Sequence, residues 1–161
     1  MLTIKRIDEM SQEEISWLKF VLLEYGNFMY DELGLTAGKD SFSREISSFP
    51  GEKYAAPEGT FFLALYNNEP AGCIGLRKFD DVSCEMKRMF VRPEYRGKGI
   101  GIKLCDHFLE TAREFGYQRV LLDTNKEMPE AVSIYNKLGF EAIPAYCENE
   151  NRNPLYFSKA L

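Results

Sequence analysis

Histidine and tryptophan each occur once in this 161-residue chain, and its four cysteines form no CxxC pair. With His107 alone and Cys73, Cys84, Cys105 and Cys147 scattered, neither a zinc site nor a disulfide framework is suggested. Reduced, mostly buried thiols and no metal are expected. Around His107 no Ser-His-Asp or Cys-His arrangement suggests itself, which disfavours a covalent enzyme intermediate. Long apolar runs are missing as well. Segments such as Phe61 to Tyr66 fall far short of the roughly 20 residues of a spanning helix. Lys5, Arg6 and Asp8 stand where a signal peptide would be apolar. Repeats and low-complexity tracts are absent too, so a soluble cytoplasmic protein is expected.

What is present fits one packed core. An apolar share of 45% with 14% aromatics is ordinary for a globular chain of one domain, here residues 1–161. The net charge of -5 argues against nucleic acid or an anionic membrane as partner. That charge is unevenly spread. From Lys87 to Lys103 there are six bases (Lys87, Arg88, Arg92, Arg96, Lys98, Lys103) against Glu94, so this stretch carries +5 and the remainder -10. Such a segment suits a small anion, or a solvated face.

Periodicity divides the chain into elements. Leu2 to Ile7 alternates as a strand, and Ser11 with Glu14 forms a capping box for a helix running to about Glu32, before Gly34. A shorter helix covers Ser41 to Ser48, and Pro50, Gly51, Pro57 and Gly59 mark a loop. Thr60 to Tyr66, Ala71 to Phe79 and Val82 to Arg92 read as an antiparallel meander, with turns at Asn67-Asn68 and Asp80-Asp81. Leu104, Cys105, Phe108, Leu109, Ala112 and Phe115 repeat at helical spacing up to Gly116. The apolar strand Arg119 to Asp123 then runs parallel to its predecessor through a right-handed crossover. Pro129 opens a helix closed by Gly139, and Leu155 to Leu161 is a last strand. The expected class is a mixed α/β sheet with helices on both faces, in the order β-α-α-β-β-β-α-β-α-β-β.

Between the meander and the long helix lies Arg96-Gly97-Lys98-Gly99-Ile100-Gly101. A glycine turn that opens a helix leaves backbone N–H groups free for an anion and lets the chain approach it closely. It is not a Walker A loop, since Gly99 follows Lys98, and Ile102 breaks the GxGxxG pattern. The pattern Arg-x-x-Gly-x-Gly at Arg96, Gly99 and Gly101, preceded by Met89-Phe90-Val91-Arg92-Pro93, resembles the pyrophosphate-binding motif of the GNAT acetyltransferase superfamily. Ala131-x-x-x-Tyr135-x-x-x-Gly139-Phe140 is similar to that superfamily's second signature. Together the two cover residues 82 to 142. The resemblance implies an N-acetyltransferase that takes an acetyl group from acetyl-CoA to a primary amine of a small molecule or peptide. The alternative is an idle acyl-CoA-binding sensor. It implies that amides from Arg96 to Gly101 hold the CoA pyrophosphate, with Met89, Phe90 and Val91 beside the pantetheine. Where the family often carries Asn three residues before the alanine, this chain has Met128. Thr124 and Asn125 stand nearby as polar substitutes, or as caps of the following turn. A homodimer is compatible with the resemblance.

Acyl transfer from a thioester needs a neutral amine and a leaving thiolate. A lysine-like amine is neutral in about one molecule of 2,500 at pH 7, an α-amine in about one of seven, so a base matters most for the former. Alternation sets Glu85 with Lys87, Met89 and Val91 on one face, and Arg88 and Phe90 on the other. Glu85 is the candidate base, or a strand carboxylate paired with Lys87. By resemblance Tyr135 would protonate the departing thiolate, or else it is a core aromatic. The phenol is the weaker acid by about 2 kcal/mol, so its help is modest. The first helices and a late hairpin frame the acceptor in this superfamily, which nominates Tyr25, Phe28, Tyr30, Asp31, Tyr146 and Asn149. Asp31 and the acidic balance suit a cationic amine.

Overall fold

The capping box read at Ser11 opens the first helix. In the computed structural model, which describes residues 1–161, Ser11 Oγ accepts from the Glu14 amide at 3.1 Å, and Glu14 Oε2 accepts from the Ser11 amide at 3.0 Å. Two otherwise unpaired donors at the start of α1 (Gln12–Gly26) are satisfied in this way. The helical path does reach Glu32, but Asn27–Glu32 is a π turn, a widened winding found mostly as a local interruption at functional sites. A second helix, α2 (Lys39–Ser47), follows.

The strands are β1 (Leu2–Arg6), β2 (Thr60–Tyr66), β3 (Glu69–Lys78), β4 (Ser83–Val91), β5 (Arg119–Asn125), β6 (Glu141–Ala142) and β7 (Pro154–Ala160). They form one seven-stranded sheet in the order β1-β2-β3-β4-β5-β7-β6. The first four run antiparallel, β4 and β5 are parallel, and β7 pairs antiparallel with both β5 and β6. Helix α3 (Ile100–Glu114) makes the crossover from β4 to β5, and α4 (Pro129–Lys137) follows β5. The mixed α/β class and the order of elements are those expected.

Strand alternation sorts the core into two faces. Phe62 and Ala64 point with Ile74 and Leu76 toward Leu104, Phe108 and Ala112 of α3. Phe61, Leu63 and Leu65 point with Cys73 toward Leu18, Val21 and Leu22 of α1 and Phe42 of α2. Both faces of the sheet are therefore covered by helices.

Two irregularities of β4 shape the rest. Its parallel pairing with β5 is confined to Ser83–Glu85 against Arg119–Leu121, so the two strands part beyond Glu85. Its pairing with β3 also slips. Cys73 faces Phe90 and Gly75 faces Lys87, leaving Arg88 and Met89 opposite Ile74 alone, a β-bulge. Arg88 has φ +59°, a left-handed conformation that costs a branched-at-Cβ-free L-residue about 1–2 kcal/mol. The Cys73 thiol donates to its carbonyl at 3.3 Å. The extra residue reverses the alternation expected from sequence. Cys84, Met86, Met89 and Val91 belong to the α3 face, whereas Phe90 belongs to the α1 face. Arg88 joins the α1 face too, over the Phe42 and Tyr25 rings. Glu85 and Lys87 thus share their face with Arg88 and Phe90, not with Met89 and Val91.

Just outside the bulge, a Cβ on Gly72 would stand 2.7 Å from the Phe90 carbonyl oxygen, which is backbone. Gly72→Ala should force β3 from β4 and destabilise the protein by about 1–3 kcal/mol. Urea denaturation should show a lower midpoint at unchanged m.

Candidate active site

The glycine turn meets the start of α3 with its backbone donors unspent. No amide from Gly97 to Ile102 donates to a backbone carbonyl. Gly97 and Gly99 have φ +79° and +76°, and a Cβ on either would meet nothing within 4 Å. Their role is therefore conformational: a left-handed turn open to the outside, which glycine adopts at least cost. Beside it is a cavity of about 600 Å³ lined by Met89, Phe90, Val91, Arg96, Gly97, Gly99, Ile100 and Gly101, with Ala131 and Ile134 of α4 opposite. The donors of the turn and of the helix start fit a pyrophosphate. The unpaired side of β4 fits an extended, amide-bearing arm.

The +5 stretch is mostly not a phosphate patch. Lys87 sits 3.6 Å from Asp123 and 3.9 Å from Glu85. Arg88 pairs with Glu45 at 3.2 Å. Arg92 grips Glu24 through Nε at 2.8 Å and Nη2 at 3.2 Å, tying β4 to α1. Lys98 turns its ammonium over the Tyr66 ring and does not line the cavity. Arg96 lines it, with Nε donating to the Val91 carbonyl at 3.0 Å. The carbonyl of Val91, a residue expected beside the pantetheine, thus already has one protein donor.

A second cavity, of about 780 Å³, lies across the gap between β4 and β5. Met89 and Met128 line both cavities, so the junction between them is apolar. On the wall of the larger one, Glu85 is 4% exposed. Its Oε1 accepts from Arg77 Nε at 3.0 Å, with Nη2 at 2.9 Å. Its Oε2 accepts from the Tyr146 hydroxyl at 2.7 Å. Asp123 accepts from Asn149 Nδ2 at 3.1 Å. Burial, then the Glu85 charge, raises the Tyr146 pKa far above that of an ordinary phenol. Glu85, Asp123 and Cys147 bring their ligand-type atoms within 4.8 Å of one another. The two carboxylates are engaged by Arg77, Tyr146, Lys87 and Asn149, so an added cation would have to displace protein donors. Burial and the nearby Asp123 and Glu85 push the Cys147 thiol up to about 11; it is a protonated thiol at neutral pH, not a nucleophile.

Tyr135 reaches the same cavity from α4. It is 5% exposed, packed against Phe140 and Phe157, and burial holds its pKa well above 10.0. Of the acceptor candidates, Tyr25, Tyr30 and Asn149 line this cavity and Phe28 lines the smaller one. Asp31 does not belong with them. Its side chain is 62% exposed and lies 4.0 Å from Lys39, because the π turn carries Tyr30 inward and the next residue outward. Thr124 and Asn125 line the larger cavity and not the one by the glycine turn. Thr124 Oγ1 donates to Met128 Sδ at 3.8 Å, and the Asn125 side-chain amide lies against the carbonyls of Arg152 and Asn153, which its nitrogen can reach as donor when the amide is oriented toward them. Both side chains thus face the turn that leads into α4 as well as the cavity. Sequence reasoning missed Arg77, Arg88 and Asp123 as cavity residues. A carboxylate in the apolar run of β5 was a readable signal for Asp123; the bulge that aims Arg88 had none.

A parallel pair that splays beside a helix-opening glycine turn suits an extended ligand that carries phosphate and amide groups. The chain belongs to the acetyltransferase (GNAT) family, whose model matches residues 27–140. It is similar to an uncharacterized N-acetyltransferase of Schizosaccharomyces pombe, 30% identical over 146 residues, covering 89% of this chain and 86% of that one. An acetyltransferase from Streptococcus agalactiae has the same fold, with a TM-score of 0.76 at 25% identity over 99% of this chain and 98% of its own. A GNAT family acetyltransferase from Elizabethkingia anophelis with acetyl-CoA bound gives 0.64 at 19% identity over 99% and 98%. The protein is an acetyltransferase, and its donor is an acyl-CoA.

The Glu85 network makes a stability test. Glu85→Ala would leave Arg77 without its anion, and loss of one partner of a buried pair costs about 3–5 kcal/mol. Because the Arg77 side chain is 27% exposed, the lower end, about 3 kcal/mol, is expected. Glu85→Gln, which still accepts from Tyr146, should lose less; chemical denaturation of both variants checks the order.

Proposed function

We propose that the protein transfers the acetyl group of acetyl-CoA to a primary amine of a small molecule or peptide, by direct attack on the thioester. The observation that carries this reading is the meeting of two cavities at Met89 and Met128, one beside the glycine turn and one walled by Glu85 and Tyr135. In this proposal the amides from Gly97 to Gly101, with Arg96 and Ile100, bind the pyrophosphate. The open side of β4 at Met89, Phe90 and Val91 lies along the pantetheine.

The amine enters through the larger cavity, past Tyr30 and Asn149, and reaches the carbonyl carbon at the methionine junction. Its lone pair forms the C–N bond, the C–S bond breaks, and the amine gives up one proton while the thiolate gains one. Glu85 is the proton acceptor, by way of a water, since its Oε1 is held by Arg77 and its Oε2 by Tyr146. Tyr135 offers its proton to the sulfur. A protonated Cys147 and the absence of any nearby imidazole support direct transfer.

Two measurements test the assignment. Gly99→Glu places a carboxylate and a strained side chain where the pyrophosphate is proposed to bind, and should weaken CoA by at least about 100-fold in calorimetric titration. Wild-type affinity in that variant would remove the turn from the site, and CoA binding with no thiol release on any amine would mark a sensor instead of an enzyme. Tyr135→Phe should lower kcat by about 10-fold, because a thiol leaves tolerably unaided. A phenol acts as acid only while protonated. With its pKa raised, Tyr135 stays protonated through pH 10, so the kcat profile should show no falling limb below about pH 10.

A further inference from the structure

Three half-buried cations line the acceptor cavity, Arg77, Lys87 and Arg88, beside the exposed Lys53 and Lys78. The first two are spent, Arg77 on Glu85 and Lys87 between Glu85 and Asp123. Arg88 is not. Its one hydrogen bond to a carboxylate runs from Nε to Glu45 Oε2 at 3.2 Å. The other oxygen of Glu45 accepts from the Tyr54 hydroxyl at 3.1 Å. The Nη atoms of Arg88 donate to no carboxylate. Its other polar neighbour on the cavity wall is the neutral Tyr30 hydroxyl, so no second carboxylate occupies the fork on the side of the cavity that it lines.

We infer that the acceptor is a primary amine bearing a carboxylate, an amino-acid-type molecule whose carboxylate is held by the Nη fork of Arg88. This rests on the acyl-transfer reading above and names its substrate class. The guanidinium is pre-organised: its side chain is only 10% exposed, and its central carbon lies 4.8 Å from the Phe42 ring centre and 5.8 Å from that of Tyr25. A fixed planar fork matches a carboxylate with two parallel charge-assisted bonds, which a lysine ammonium does not. The cavity is balanced in charge, with five lining carboxylates, Glu85 and Asp123 among them, against five lining cations. An incoming carboxylate therefore meets no excess of negative charge there. Position agrees as well. The β-bulge turns Arg88 to this face, and the next residue, Met89, lines both cavities, so a carboxylate on Arg88 keeps the amine of the same small molecule close to the junction.

Acetyl-CoA-dependent thiol release over matched triplets tests the inference. Each triplet is one of the common amino acids, its methyl ester and its decarboxylated amine. For at least one triplet, kcat/KM for the free acid should exceed that of both partners by about 10- to 100-fold, the range for losing charge-assisted hydrogen bonds. The ester's less basic amine biases the comparison against this outcome. Arg88→Lys keeps the charge and loses the fork; CoA affinity reports that it is folded, and its acid-to-ester ratio should fall to near one. Esters or decarboxylated amines used as well as the acids would overturn the inference and leave the N-acetyltransferase reading standing. Full acid preference in folded Arg88→Lys would do the same. If Arg88→Lys does not hold CoA, the wild-type ratio alone decides. No thiol release on any amine, with CoA bound, would overturn both.

Discussion

The separation of β4 from β5 after Glu85 is the constraint on which the rest depends. Three residues of each strand pair in parallel, and then the ladder stops in the middle of a seven-stranded sheet. Backbone N–H and C=O groups left inside a protein need water or a ligand to complete their hydrogen bonds. An interior strand edge of this kind suits an extended molecule that carries amides of its own. The gap also lets one cavity pass between the two faces of the sheet. Tyr25 and Tyr30 from the α1 side and Met86 and Tyr135 from the α3 core line the same space.

What holds the gap open is distributed over its two borders. On the β3 side, the bulge at Arg88 adds a residue to β4 and twists it away from its parallel neighbour. The left-handed backbone there is offset by the Cys73 thiol on the freed carbonyl, by Glu45 on the guanidinium and by the rings of Phe42 and Tyr25. At the end of β4, Arg92 binds Glu24 of α1 and, through Nη1, the Pro70 carbonyl at 2.9 Å. Anchored to α1 and β3, β4 cannot swing back to β5.

The electrostatics follow the same geometry. Counted along the chain, the basic stretch suits a small anion or a solvated face. In space it divides, with Lys87, Arg88 and Arg92 facing carboxylates of the interior and α1, and Arg96 at the glycine turn. Charge summed over sequence cannot distinguish these, because strand residues alternate between faces and the bulge shifts the alternation midway. The same shift separates Glu85 from Met89. The carboxylate proposed as base thus stands on the wall of the acceptor cavity, and the methionine stands at its junction with the donor.

Local rules carried far in this chain. Capping at Ser11, glycine at the turn before α3, the apolar repeat of α3 and the two-residue period of β2 depend on neighbours within a few residues, so they were legible without the fold. The order of elements and the family motif followed from them. Other features required contacts between distant segments. The bulge at Arg88 arises from register against β3, the outward turn of Asp31 from the π winding, the placement of Asn125 from packing against the carbonyls of Arg152 and Asn153, and the burial of Glu85 from Arg77 and Tyr146. The sequence by itself determined where helices and strands begin and that a glycine turn suited to a phosphate lies between two of them. Only the tertiary structure decided which side chains meet in the cavity beyond that turn, because facing and pairing are set by register and packing between segments far apart in the chain.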